Sequence, residues 1–308
     1  MGLITPKMRF RMNRWRNKWF RVKESARETS QEIFIEQKMC PACRALVDRH
    51  SRQCPYCDQV LQVAGTSPAG RLASRVVPSN VPATGLLILG NLLLFIAEYV
   101  LSRGTLLHPV NDAVVGQLGV ALPMPLMIAS GQYWRWITAM FLHAGWLHIG
   151  FNMWALYDLG PVCESLYGPA KFVTLYLAAG VIGNVAASLM GTSVLGASGA
   201  LFGLLGLLAT YGLRRRDSAS RQLRSYVGRW IVYALIWTFV IPGISAAAHI
   251  GGLLGGMALG YMISDDPPMT EGSIAAWQLA QWVALVITFG AFFLMARWFL
   301  LVARMPLS

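Results

Sequence analysis

The sequence predicts an all-α polytopic membrane protein preceded by a small metal-binding module, and three observations carry that reading. Of its 308 residues, 55% are hydrophobic and only 13% are charged, too few charges for an ordinary soluble domain. Apolar stretches recur along the chain at lengths near the roughly 20 residues a helix needs to cross a bilayer. The formal net charge of +12 is gathered in two places: the arm from Lys7 to Arg27, and Arg214-Arg215-Arg216 through Arg221, Arg224 and Arg229. Both clusters fit cytoplasmic segments flanking membrane spans, so nucleic acid is not an expected partner.

The first element, residues 1–36, is a basic arm. Between Met8 and Val22, Lys and Arg alternate with Phe10, Trp15, Trp19 and Phe20. That composition suits an amphipathic segment on an anionic lipid surface and equally a disordered basic arm. It has no apolar core of the kind a signal peptide requires, and Glu24, Glu28 and Glu32 weaken the case for an organellar presequence.

Residues 37–63 hold Cys40-Pro41-Ala42-Cys43, ten intervening residues, then Cys54-Pro55-Tyr56-Cys57. Two CxxC knuckles place four thiolates around one point, which meets the tetrahedral preference of a structural zinc ion and leaves no open position for catalysis. Disulfides are the competing reading, disfavoured because this module precedes the first span on the reducing side. A segment this short cannot build much of a core, so the metal would supply its folding energy. His50 reads as a surface residue and Cys163 as an ordinary buried or interfacial thiol. Residues 64–83 turn to Gly, Ser, Pro and Thr and form a flexible linker.

The remaining domain, residues 84–303, contains candidate spans near 84–102, 144–163, 170–190, 198–213, 229–242, 245–264 and 277–298. A cytoplasmic N-terminus puts the Arg-rich segment after the fourth span inside as well. The segment 103–141, the turn at 191–196 and the break at Pro242-Gly243 then lie outside. This arrangement suits a multi-pass protein of a bacterial plasma (inner) membrane.

Polar residues inside such spans are costly and therefore point to function. His148 and Asn152 are four positions apart, on one helix face, with His143 just before them. Ser198 follows Leu195-Gly196-Ala197 and heads the fourth span, and His249 stands near the head of the sixth. The topology starts those two spans at the same leaflet. Gly252, Gly256 and Gly260 give the sixth span a face of close approach, and Gly199, Gly203 and Gly206 line the fourth. A serine hydroxyl becomes a nucleophile when a neutral imidazole takes its proton. No Asp or Glu is expected at that depth to complete a triad, so Ser198 and His249 would form a dyad, with Phe202 packed on the imidazole. Candidate oxyanion donors are His148, Asn152 and the Ser198 N–H.

These residues resemble the rhomboid intramembrane proteases over about 134–260: Trp134-Arg135, His143, His148-Ile149-Gly150-Phe151-Asn152, Gly196-Ala197-Ser198-Gly199 and Ala248-His249-Ile250-Gly251-Gly252. The resemblance implies a six-helix core, here with a seventh C-terminal helix, and a first outer loop lying partly in the leaflet. It also implies a serine endopeptidase that cuts transmembrane segments of other membrane proteins, with Ser198 as nucleophile, His249 as base, and His148 and Asn152 as oxyanion donors. Trp134 and Arg135 would anchor the outer loop near lipid headgroups. Phe202 departs from the tyrosine of many members and keeps its stacking surface. Expected partners are transmembrane substrates, membrane lipids and a protein docking on the zinc module; no cofactor is expected for catalysis. Substrate-binding residues are not legible. A catalytically silent relative that binds and escorts membrane proteins is the alternative, opposed by the presence of both Ser198 and His249. A channel or transporter would show repeated halves, and none is visible.

Overall fold

The computed structural model describes residues 37–39, 46–48, 53–56, 82–215, 217–263 and 270–302. The chain divides into two compact units, Met1–Asn80 and Val81–Ser308.

In the first unit, strands β1 (Gln37–Met39) and β2 (Leu46–Asp48) pair antiparallel, with Met39 opposite Leu46. Cys54 is fully buried and leads into a turn through Pro55 and Tyr56, both exposed. Cys40, Cys43, Cys57, His50, the basic arm and residues 64–81 lie outside the described residues. The expected start at residue 84 moves by two positions, because Pro82 already opens the first long helix, where its missing N–H costs nothing.

The second unit is helical throughout its described elements, apart from one isolated bridge between Ala121 and Val194. Its seven long helices are α1 (Pro82–Leu101), α5 (Trp146–Tyr167), α6 (Pro169–Leu189), α7 (Ser198–Arg214), α8 (Ser218–Val240), α9 (Ala246–Met262) and α10 (Glu271–Val302). Between α1 and α5 lie three short helices, α2 (Asp112–Leu118), α3 (Met124–Ser130) and α4 (Arg135–Thr138), and a 3-10 turn over Ala139–Phe141. Helices α1, α6 and α10 are long and apolar enough to cross a membrane by length and composition.

Exposure separates core from periphery. Helix α7 buries Leu201, Phe202, Leu204, Leu205, Leu207 and Leu208 and is enclosed on nearly all sides. Helix α8 buries only Ser220, Val227 and Thr238 and exposes Trp237, Phe239 and Val240. Helix α10 exposes Val286, Phe289 and Phe293 while packing Thr288, Ala291 and Met295 inward. Apolar side chains displayed this broadly are stable only against lipid, and the chain is an integral membrane protein.

Two ends are fixed by carboxylates. At the start of α1, Glu164 of α5 accepts the N–H groups of Ala83 (3.0 Å) and Thr84 (2.8 Å) and the Thr84 hydroxyl (2.7 Å), satisfying orphan donors of the helix N-terminus with a side chain suited to its dipole. At the start of α8, Asp217 accepts the Ser220 N–H and hydroxyl, both at 2.8 Å. That cap makes α8 begin at Ser218, eleven residues before the apolar window near 229. Hydropathy finds where a helix is greasy, whereas Arg, Leu and Gln propagate it equally well.

The segment 103–141 is more ordered than a loop. Asn111 caps α2 by accepting the Ala113 N–H at 2.8 Å, and Arg135 donates to the backbone carbonyls of Gly116 (2.9 Å) and Val120 (3.2 Å). Arg135 is buried, so it knits this segment together from inside. Trp136 donates to Ser188 at 2.9 Å and Asn184 donates to the Trp136 carbonyl at 2.8 Å, fastening α4 to α6.

Candidate active site

Helices α7 and α9 each contain 17 residues, about 25 Å at 1.5 Å per residue, less than the roughly 30 Å hydrocarbon core. Ser198 is the first residue of α7 and His249 the fourth of α9.

The two helices touch through glycine. A Cβ at Gly252 would overlap the Gly199 carbonyl oxygen, and one at Gly256 would overlap that of Gly203; on the α9 side only glycine permits this approach. It brings His249 Nε2 to 2.8 Å from Ser198 Oγ. Phe202, one turn along α7, stacks on the imidazole with ring centroids 4.2 Å apart and planes inclined by 16°. His249 is buried while Ser198 is half-exposed, so the ring is held and the hydroxyl remains reachable.

The other face of the site comes from the start of α5. Asn152 is buried, and its Nδ2 has no hydrogen-bond partner. The Ala144 N–H donates to His148 Nδ1 at 3.3 Å, which leaves the His148 proton on Nε2. Both donor nitrogens converge on Gly196: a Cβ there would stand 2.6 Å from His148 Nε2 and 3.7 Å from Asn152 Nδ2. Gly196 has φ +114, and its N–H donates to the Ala139 carbonyl at 2.8 Å. The Ser198 N–H, at the head of α7, is one of that helix's orphan donors. The arrangement therefore has an imidazole-bound hydroxyl on one side and unpaired or protonated nitrogen donors on the other, as charge development on a carbonyl oxygen requires.

Three residues escaped the sequence reading. Thr238 of α8 places Oγ1 at 2.7 Å from His249 Nδ1 and donates to the Ala234 carbonyl, also at 2.7 Å; a threonine in an apolar span gives no sequence signal beyond ordinary packing. Glu98 of α1 is fully buried and accepts the His143 N–H at 3.0 Å, and the ring of His143 meets that of His148 edge-on at 5.1 Å. An acidic residue does therefore stand near the site, contrary to expectation, although it supports the α5 side and makes no bond to His249. Ser245 caps α9 by accepting the Ala248 N–H at 3.3 Å, fixing where the turn carrying His249 begins. Among the described residues no group of His, Cys, Asp and Glu could hold a metal.

Comparison with known proteins agrees with this geometry. Residues 130–266 match the rhomboid domain family, a range that holds Ser198, His249, His148 and Asn152. The rhomboid protease GluP of Bacillus subtilis is 38% identical over 131 residues, covering 42% of this chain and 26% of GluP. The putative rhomboid protease YdcA of Bacillus subtilis is 33% identical over 145 residues, covering 44% of this chain and 70% of YdcA. The rhomboid-like protease 1 of Toxoplasma gondii is 32% identical over 151 residues, covering 46% of this chain and 51% of that protein. The chain thus spans about a quarter of GluP and half of the Toxoplasma relative, while it aligns with most of the smaller YdcA. On the match of its site-bearing segment, and on the share of YdcA it covers, the chain belongs to the rhomboid family.

Proposed function

We propose that this protein is an intramembrane serine endopeptidase that cuts transmembrane segments of other membrane proteins, using Ser198 as nucleophile and His249 as general base. The observation that carries the reading is the 2.8 Å contact between Ser198 Oγ and His249 Nε2 at the N-terminal ends of two glycine-joined helices. His249 takes the hydroxyl proton as Oγ bonds to the scissile carbonyl carbon, and the carbonyl electron pair moves onto oxygen, where His148, Asn152 and the Ser198 N–H donate to it. The pair then returns, the C–N bond breaks, and the His249 proton passes to the leaving amine. Water, deprotonated by the same imidazole, attacks the acyl-enzyme ester; collapse of that second intermediate releases a carboxylate product and restores the Ser198 hydroxyl.

The substrate class follows from placement. A transmembrane helix must unwind before its backbone reaches a serine, so segments with small or helix-breaking residues near the cut are favoured. The intact Ser198 and His249 oppose the reading as a silent escort factor. Cleavage of a reconstituted single-span substrate with a destabilised helix is expected for the native chain and lost in Ser198→Ala and His249→Ala. A folded native chain that cuts none of several such substrates overturns the proposal.

The finer architecture belongs to the same reading: a six-helix core from α1 to α9 with α10 as a seventh span, a cytoplasmic N-terminus, and residence in a bacterial plasma membrane. Residues 37–63 would hold a structural zinc ion through Cys40, Cys43, Cys54 and Cys57 and serve as a docking module for a protein partner. Supporting the metal reading, Cys54 is buried at the start of a tight turn that follows the antiparallel strand pair along the chain, as a thiolate knuckle requires. About one equivalent of zinc per purified chain, lost on Cys54→Ser, is the expected result on this coordination chemistry; a zinc-free, folded native module refutes it.

A further inference from the structure

We infer that Thr238, on the sparsely packed helix α8, is the positioning residue that sets the tautomer of His249, standing where a soluble protease would use a carboxylate. This rests on the dyad reading above. A threonine hydroxyl has one proton and two lone pairs. Thr238 Oγ1 lies 2.7 Å from the Ala234 carbonyl oxygen, which can only accept, so the hydroxyl proton is committed there. The oxygen therefore presents a lone pair to His249 Nδ1, also 2.7 Å away, and Nδ1 must carry the hydrogen. A neutral imidazole holds one N–H, so Nε2 is left with its lone pair directed at Ser198 Oγ, 2.8 Å distant. That is the one tautomer able to act as base, and Phe202, stacked on the ring, restrains the rotation that would exchange the nitrogens.

The same bond persists through turnover. When Nε2 gains the Ser198 proton, the imidazolium keeps Nδ1–H directed at Thr238 Oγ1, whose partial negative charge favours the cation. Because Thr238 is buried at 4% exposure near the outer end of a helix whose neighbours Trp237 and Phe239 are exposed, displacement of that end of α8 would break the bond to His249. The readiness of the base is thereby tied to the seating of α8 against α9.

The test compares the full chain with Thr238→Val and Thr238→Ser in one detergent, using a single-span substrate and the 15N spectrum of histidine-labelled protein. In the native chain the His249 signals, assigned by their loss in His249→Ala, should show a protonated Nδ1 and an unprotonated Nε2. Thr238→Val should lower kcat at least about tenfold, short of the roughly 10⁴-fold loss on replacing a triad aspartate, with KM little changed. Thr238→Ser should restore most of the rate and the native spectrum. A native His249 protonated on Nε2, or a Thr238→Val variant as fast as the native chain, overturns the inference, and so does a Thr238→Ser variant as slow as Thr238→Val. The spectrum of the native chain needs no variant to fold. If the native chain cuts nothing but His249 still carries Nδ1–H, the protease reading fails and the tautomer assignment survives. If cleavage depends on Ser198 but not on Thr238, only this inference fails.

Discussion

The carbonyl oxygen of Gly199 occupies the space that any side chain on Gly252 would need, and the same relationship recurs one turn on between Gly203 and Gly256. Backbone thus lies against backbone where α7 meets α9, and His249 stands three residues before Gly252 on one helix while Ser198 immediately precedes Gly199 on the other. The distance between nucleophile and base is set by this contact. Gly252→Ala should force the helices apart, lowering thermal stability by about 1–3 kcal/mol, the usual cost of overpacking, and reducing cleavage by more than the fraction unfolded explains. Thermal unfolding in detergent and cleavage of the same preparation check this; a variant of native stability and rate would show that the contact is slack.

A methyl group on Gly196 meets a different obstacle. Its Cβ would lie 2.6 Å from His148 Nε2, and φ +114 is backbone that side chains rarely adopt, at a cost of about 1–3 kcal/mol. Gly196→Ala is therefore expected to push the His148 ring out of the donor cluster and to lower kcat. Asn152→Ala removes a donor without strain and should cost about 10²–10³ in kcat if Asn152 stabilises the oxyanion. Unchanged cleavage by Asn152→Ala removes it from that role, whatever Gly196→Ala does.

How much of this was legible depended on what kind of signal each residue leaves. Glycines at a spacing of four and a lone histidine in an apolar stretch are visible because both are costly without a purpose, and the contact between α7 and α9 could be read from them. Phe202 was legible for a similar reason, one turn from Ser198. Thr238 was not, since threonine in a membrane helix ordinarily bonds the carbonyl four residues back; its second partner depends on how α8 is seated, which no local pattern encodes. Glu98 was missed because it sits near the end of α1, where an acidic residue reads as an interfacial group. The seating of the short helix α2 on α4 depends on Arg135 gathering distant carbonyls, again a tertiary fact.

Glu164 offers a test that separates architecture from chemistry. Its carboxylate receives three hydrogen bonds from Ala83 and Thr84 at the start of α1. Glu164→Gln keeps the size but turns one accepting oxygen into a donor facing donors, leaving a buried group unsatisfied at about 1–3 kcal/mol. The thermal midpoint should fall while kcat and KM below the transition stay near native. A variant that unfolds like the native chain, or one whose kcat falls at temperatures where it is folded, contradicts this division.

Asp217 lies in the Arg-rich segment outside the spans, and the N–H and hydroxyl of Ser220 hold its carboxyl below the usual carboxylate range. The sign follows directly. A carboxyl depressed in the folded state protonates more readily when the cap is open, so its contribution is present above the unfolded value of about 3.9 and is lost as pH falls through the lower folded value. Protection of the Ser220 amide against hydrogen exchange, referred to the unstructured rate, should therefore hold at neutral pH and decline in strong acid as α8 frays from Ser218. Asp217→Asn still offers an accepting oxygen to that amide but cannot titrate, so it should keep much of the neutral protection and lose the acid decline. An equal decline in the variant would assign the fraying to some other group and leave Asp217 as a cap whose charge is without effect on α8.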